Sequence, residues 1–128
     1  MSARATIDQY FDALTAGDCE RLLATISTSD GFIKIGTEAG EVVSGGSNAS
    51  EYYSQHVTST RDFTIETVRL DVEERPEIAW FFTEQVWRVT WQGTPETLAM
   101  RITGVLESED SGWKFIQIHA SLGTHQSD

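Results

Sequence analysis

From residue 61 to residue 122 the chain alternates apolar and polar side chains with a period close to two. That period belongs to β-strands, whose successive side chains point to opposite faces, and it argues against any helix in this half. Thr64, Glu66, Val68, Leu70 and Val72 alternate with Phe63, Ile65, Thr67, Arg69 and Asp71. Turn residues interrupt the pattern at 73–77, which holds Pro76, at 92–96, which holds Gly93 and Pro95, and at the acidic segment 108–112. Strands are therefore predicted over 61–74, 78–91, 97–107 and 113–122, joined as a four-strand meander.

The last strand is the most informative. On an unbroken period of two, Trp113, Phe115, Gln117, His119 and Ser121 share one face, and Lys114, Ile116, Ile118, Ala120 and Leu122 share the other. Such a strand closes a sheet and offers functional groups at one end.

The first half is helical in character. Ile7, Tyr10, Phe11 and Leu14 recur at helical spacing, Gly17 stops that helix, and Asp18 can cap a second containing Leu22, Leu23 and Ile26. Residues 31–36 read as a short strand and 37–46 as a loop or tight hairpin. Ser47 is placed to cap a third helix through Glu51, Tyr52, Tyr53 and His56. Helices first and strands after them predict an α+β fold, with about three N-terminal helices covering one face of a curved antiparallel sheet. A chain of 128 residues forms one domain, here with its last few residues as a polar tail.

Composition narrows the function classes. The net charge is −11, with 20 acidic against 9 basic residues. Nucleic acid and anionic membrane surfaces both require basic patches, so neither is an expected partner. Cys19 is the only cysteine, the N-terminus lacks the apolar run of a signal peptide, and no apolar stretch is long enough to span a bilayer. The expected compartment is the cytoplasm. His56, His119 and His125 lack metal-ligand spacing, and neither a phosphate-binding glycine loop nor a nucleophile elbow is present, so no metal or cofactor is expected.

Three stretches resemble the SnoaL-like branch of the nuclear-transport-factor-2-like superfamily. They are Tyr10 to Asp18, Phe32 to Gly45 with its Gly36-Thr37-Glu38-Ala39-Gly40-Glu41 segment, and Arg101-Ile102-Thr103 with Gly112-Trp113 and Gln117-Ile118-His119-Ala120-Ser121. The branch often has His-x-His-x-Ser in the last strand; this chain has Gln117 at the first His position and keeps His119 and Ser121. The resemblance implies a curved sheet wrapped by helices into a cone with a pocket. The superfamily includes ketosteroid isomerases, polyketide cyclases, dehydratases and kinase association domains, so the fold leaves the function open.

The resemblance also tests for catalysis. Tyr10 matches the first-helix tyrosine that serves ketosteroid isomerases as an oxyanion donor. Their aspartate base would fall at Ile35 or Gly36, and their second acid near Thr103 or Gly104, none of which takes its place. Steroid-type isomerisation is therefore not expected. The remaining catalytic candidates are His119, a residue type whose ordinary pKa lies near working pH, and Glu84, with Tyr10. Glu84 shares a strand face with Trp80 and Phe82; turned inward it would be a desolvated base, or an acid paired with Arg69, Arg88 or Arg101. Arg101 is suited to a carboxylate ligand or a cross-strand salt bridge. Glu38 and Glu41 read as solvated loop charges.

Tyr10, Tyr53, Trp80, Arg101, Thr103, His119 and Ser121 are the expected lining of a pocket for a small organic molecule. The aromatic excess of Trp80, Phe82, Trp87, Trp91, Trp113 and Phe115 predicts a homodimer through the sheet. Three functions stay open: a small-molecule-binding domain, an isomerase, lyase or cyclase, and a homo-oligomeric association module.

Overall fold

The structure, a computed structural model, describes residues 2–123. Helix α1 (Ala3–Ala16) starts at Ser2, whose hydroxyl accepts from the Ala5 N–H at 3.1 Å. It ends at Gly17, held at φ 69°, a left-handed conformation that glycine adopts without penalty. The Asp18 carboxylate accepts from the Arg21 N–H and starts α2 (Cys19–Leu23). Ile26 lies beyond that helix and bridges to Phe115.

Strands β1 (Ile33–Ile35) and β2 (Val42–Ser44) form a short antiparallel hairpin from the segment read as strand and loop. The third helix, α3 (Ala49–Ser59), begins one residue later than a Ser47 cap implies. Ser47 lies in a 3-10 turn (Gly46–Asn48) before it and makes no cap, whereas Asn48 donates its side-chain amide to the Ser44 carbonyl.

The four long strands are β3 (Thr60–Glu74), β4 (Ile78–Trp91), β5 (Thr94–Glu109) and β6 (Gly112–Leu122). The β4–β5 turn is tighter than expected. Gln92 and Gly93, both at positive φ, form a two-residue hairpin, so Thr94 to Glu96 already belong to the strand. The sheet order is β2-β1-β6-β5-β4-β3, antiparallel except where β1 runs parallel to β6.

Three register shifts interrupt this sheet, one between Arg61 and Thr64 at the start of β3 and two single-residue insertions that each reverse the alternation. Val68 is extra in β3, where Thr67 pairs with Gln85 and Arg69 with Glu84. The Thr83 hydroxyl donates to the Arg69 carbonyl beside it at 2.8 Å. Ile116 is extra in β6, where Leu106 pairs with Phe115 and Val105 with Gln117. Trp113 and Phe115 therefore face the core with Ile118 and Ala120, while Gln117 and His119 face outward and are exposed. The single shared face expected for Trp113, Phe115, Gln117, His119 and Ser121 does not exist, because the extra residue breaks it in the middle.

The helices pack on the concave face. Ile7, Leu14, Leu22, Phe32, Phe115 and Leu106 form the tightest core there, each 2% exposed or less. Gly104 is required beneath it, since a Cβ at that position would collide with the Phe81 ring.

Candidate functional site

A cavity of about 600 Å³ lies between the sheet's concave face, the inner sides of α1 and α3, and the β1–β2 hairpin. Tyr10 and Tyr53, expected as lining residues, meet in its wall. Their hydroxyls are 2.6 Å apart, and the rings cross edge to face at 5.8 Å. Helical spacing turns both toward the sheet, where they are 3% and 1% exposed. Burial raises both hydroxyl pKa values, so these phenols stay protonated at neutral pH.

Four titratable residues that the sequence reading had not placed in the site join them. Lys34 is the central residue of β1, and the alternation that buries Phe32 also turns Lys34 inward. Its register partners are Val43 and Ile118, and its ammonium lies 5.6 Å from the centre of the Tyr52 ring. Burial pushes its pKa down to about 8, against the opposing pull of the Glu41 charge. Glu41 is not a solvated loop charge. It is half-buried, and its carboxylate accepts from the Tyr52 hydroxyl at 3.1 Å. It also occupies the space that a side chain at Gly36 would need. A carboxylate thus stands beside Gly36, where the sequence offered no proton-accepting side chain.

His56 completes the group. Its ring lies 5.5 Å from Trp91 and 6.2 Å from Phe63, and its Nδ1 is buried without a hydrogen-bond partner. Burial, aided by the Lys34 charge, lowers its pKa to about 4, so it is a neutral imidazole at pH 7.

The remaining candidates assemble on the opposite, outward face. Phe82 pairs with Thr103 and Thr103 with His119 in one row across the sheet. Arg69, Glu84, Arg101 and Ser121 form the next row. Trp80 pairs with Val105 in the row on the other side of Phe82. None of these residues lines the cavity. Glu84 is not buried among core aromatics, and the recorded ion pairs join other residues: Arg69 with Asp71, Arg75 with Glu73, and Arg88 with Glu66.

The aromatic set divides as well. Trp113 and Phe115 are core residues, Trp87 and Trp91 line the cavity, and Trp80 and Phe82 remain on the outward face. A second hollow of about 440 Å³ lies between α1 and β3, with Asp8 and Asp12 at its edge. Among the described residues, no group of three or more His, Cys, Asp or Glu gathers as a metal site, and no helix is long and apolar enough to cross a membrane.

A family model described as "SnoaL-like domain" matches residues 3–125. None of the curated proteins compared with the chain matches it. Solved structures do. A Streptomyces avermitilis protein described as a dehydratase of the NTF2-like family is 17% identical, with a TM-score of 0.84 over 94% of this chain and 93% of that one. A ketosteroid isomerase-like protein from Erwinia carotovora atroseptica is 17% identical, with a TM-score of 0.76 over 95% and 94%. A protein from Thiobacillus denitrificans described as a calcium/calmodulin-dependent protein kinase type II association domain is 17% identical, with a TM-score of 0.76 over 96% of each chain. At these identities the likeness is one of fold.

Proposed function

Because the chain belongs to the SnoaL-like domain family, whose fold suits ligand binding, we propose that it binds a small organic molecule in the cavity between α1, α3 and the concave face of the sheet. The observation that carries this reading is the convergence of Tyr10, Tyr53, Tyr52, Glu41, Lys34 and His56 on one cavity whose wall also includes the apolar Leu14, Val89, Leu98 and Met100. A few convergent polar groups in an apolar hollow are what a ligand site requires. Tyr10 and Tyr53 keep the binding role expected of them, as hydrogen-bonding groups in the wall.

The outward residues take another role in this reading. Trp80, Thr103, His119, Arg101, Glu84 and Ser121 form the contact between two copies of the chain. Trp80 is 42% exposed and Ile33 38% exposed at one end of that face, an apolar surface suited to a partner. Its basic and acidic residues alternate across the strands, so a second copy can offer the complementary charge. The lone Cys19 supports a reducing, cytoplasmic compartment, and the acidity disfavours nucleic acid and anionic membranes.

The ligand reading is tested with N-phenyl-1-naphthylamine, a neutral fluorophore that brightens in apolar hollows. The parent chain should bind it, and Leu98→Trp, which fills the cavity wall, should bind it at least ~tenfold more weakly at an unchanged melting temperature. Equal binding by the two proteins would remove the cavity from consideration.

A further inference from the structure

Lys34 is unusual among the groups in the cavity wall. Lysines are seldom buried unless paired, and this one is 6% exposed. Its register neighbours are apolar. Among the described residues it makes no recorded ion pair, and the nearby Glu41 carboxylate is hydrogen-bonded to Tyr52 instead. What it has is an aromatic face on one side and the cavity on the other. An amine largely stripped of water and without a carboxylate in direct contact gives up its proton more readily and keeps its lone pair available, which makes such lysines nucleophiles toward carbonyl carbon.

We propose that the Lys34 amine condenses with a small aldehyde or ketone held in the cavity, binding it as an imine. This rests on the reading of the cavity as a ligand site. The nitrogen lone pair forms the C–N bond while the C=O π pair moves to oxygen. A proton then passes from nitrogen to that oxygen, giving a carbinolamine. The hydroxyl takes up a further proton and leaves as water while the nitrogen lone pair closes the C=N bond. Amine, carbonyl and one proton become a protonated imine and water, with no oxidant or reductant.

The surroundings suit each part of the step. Leu14, Val89 and Met100 offer an apolar wall for the body of the ligand. The Tyr10–Tyr53 pair uses one hydroxyl proton internally and leaves the other free to donate to a ligand oxygen. Glu41, fixed by Tyr52, is a carboxylate through which water in the cavity can exchange the protons. The titratable groups sharing the cavity with Lys34 are Glu41, Tyr52, Tyr53, His56 and Tyr10, with Glu38 and Glu96 also in its lining. With the Lys34 pKa near 8, roughly one amine in ten is unprotonated at pH 7, against fewer than about one in a thousand for an ordinary lysine.

The chain supplies its own control, because Lys34 and Lys114 are its only lysines. Lys114 lies outside the cavity lining and donates to the Ala24 carbonyl. The full chain is incubated at pH 7 with benzaldehyde and sodium cyanoborohydride, and benzylated peptides are mapped by mass spectrometry. Lys34 should be benzylated at least ~tenfold faster than Lys114, and excess benzyl alcohol, which occupies the cavity without condensing, should slow Lys34 alone. Lys34→Arg, which keeps the charge, should lose the fast label; if that variant does not fold, the ratio in the parent chain decides. Labelling of Lys114 and the N-terminal amine with Lys34 untouched overturns the proposal. If benzyl alcohol still quenches tryptophan fluorescence in that case, only the imine is lost; if it does not, the cavity reading falls as well.

Discussion

Replacing Lys34 with methionine should stabilise the protein, although it deletes a charge from a site built around charges. Methionine has nearly the shape of the lysine stem and keeps its contacts with Val43, Ile118 and the Tyr52 ring. What is removed is the cost of holding an ammonium in a place 6% exposed. In the native state the amine titrates at about 8 rather than 10.5, with the attraction of Glu41 already included. At roughly 1.4 kcal/mol per pH unit, that difference is ~3 kcal/mol.

The sign follows from the direction of the shift. A base whose pKa is lowered by folding destabilises the native state wherever the unfolded chain holds the proton. The full penalty therefore applies below pH 8, fades between pH 8 and 10.5, and is absent above. Urea denaturation of parent and variant at pH 7 should separate them by ~2–3 kcal/mol, or ~8 °C in melting temperature for a domain of this size. By pH 10.5 the difference should have closed. Ionising tyrosines affect both proteins alike and cancel in the comparison. A variant less stable than the parent at pH 7 would refute the reasoning, because Lys34 would then be contributing a favourable interaction larger than its desolvation.

Three further outcomes are expected. Tyr53→Phe leaves the Tyr10 hydroxyl buried without its partner at 2.6 Å and should cost ~1–3 kcal/mol in urea denaturation, well beyond the effect of removing an exposed hydroxyl. His56, its pKa lowered to about 4, should make the parent lose stability as pH falls from 6.5 toward 4, and His56→Phe should flatten that part of the pH–stability profile; identical profiles would contradict its neutral, buried state. His119→Ala and Trp80→Ser should leave fluorophore binding in the cavity intact while raising the dissociation constant for self-association in analytical ultracentrifugation, and a parent chain that is monomeric at tens of micromolar would remove the sheet contact.

The legible parts of the fold were those written in local chemistry. Gly17 and Asp18 bound their helices through a single glycine conformation and a single hydrogen bond, and Pro76 and Gly93 separated strands whose lengths follow from the alternation around them. The bulges were not legible, because an extra residue carries no composition of its own. Ile116 and Ile118 are equally apolar, and only pairing with β5 shows that the first is the insertion. That one residue moved His119 and Ser121 out of the expected site, while Arg101 and Thr103 face outward by the alternation of β5 itself, whose Met100 and Ile102 are buried.

Lys34 was readable in principle. Phe32 and Lys34 are two apart on a strand whose inner face is buried, but a lysine in a three-residue strand is ordinarily taken for a surface residue. Glu41 depended on a contact that no pattern encodes, the space left by the missing side chain of Gly36.

The insertion at Ile116 also gives β6 two independent addresses. Up to Phe115 the strand belongs to the domain's interior on its odd positions; after it, the odd positions belong to the outside world. Removing that single residue would exchange the two sets downstream, carrying His119 and Ser121 inward and turning Ile118 and Ala120 out to solvent. Point substitutions can therefore rewrite the outward half of the strand without disturbing the cavity, whereas a change in its length by one residue would rewrite both at once.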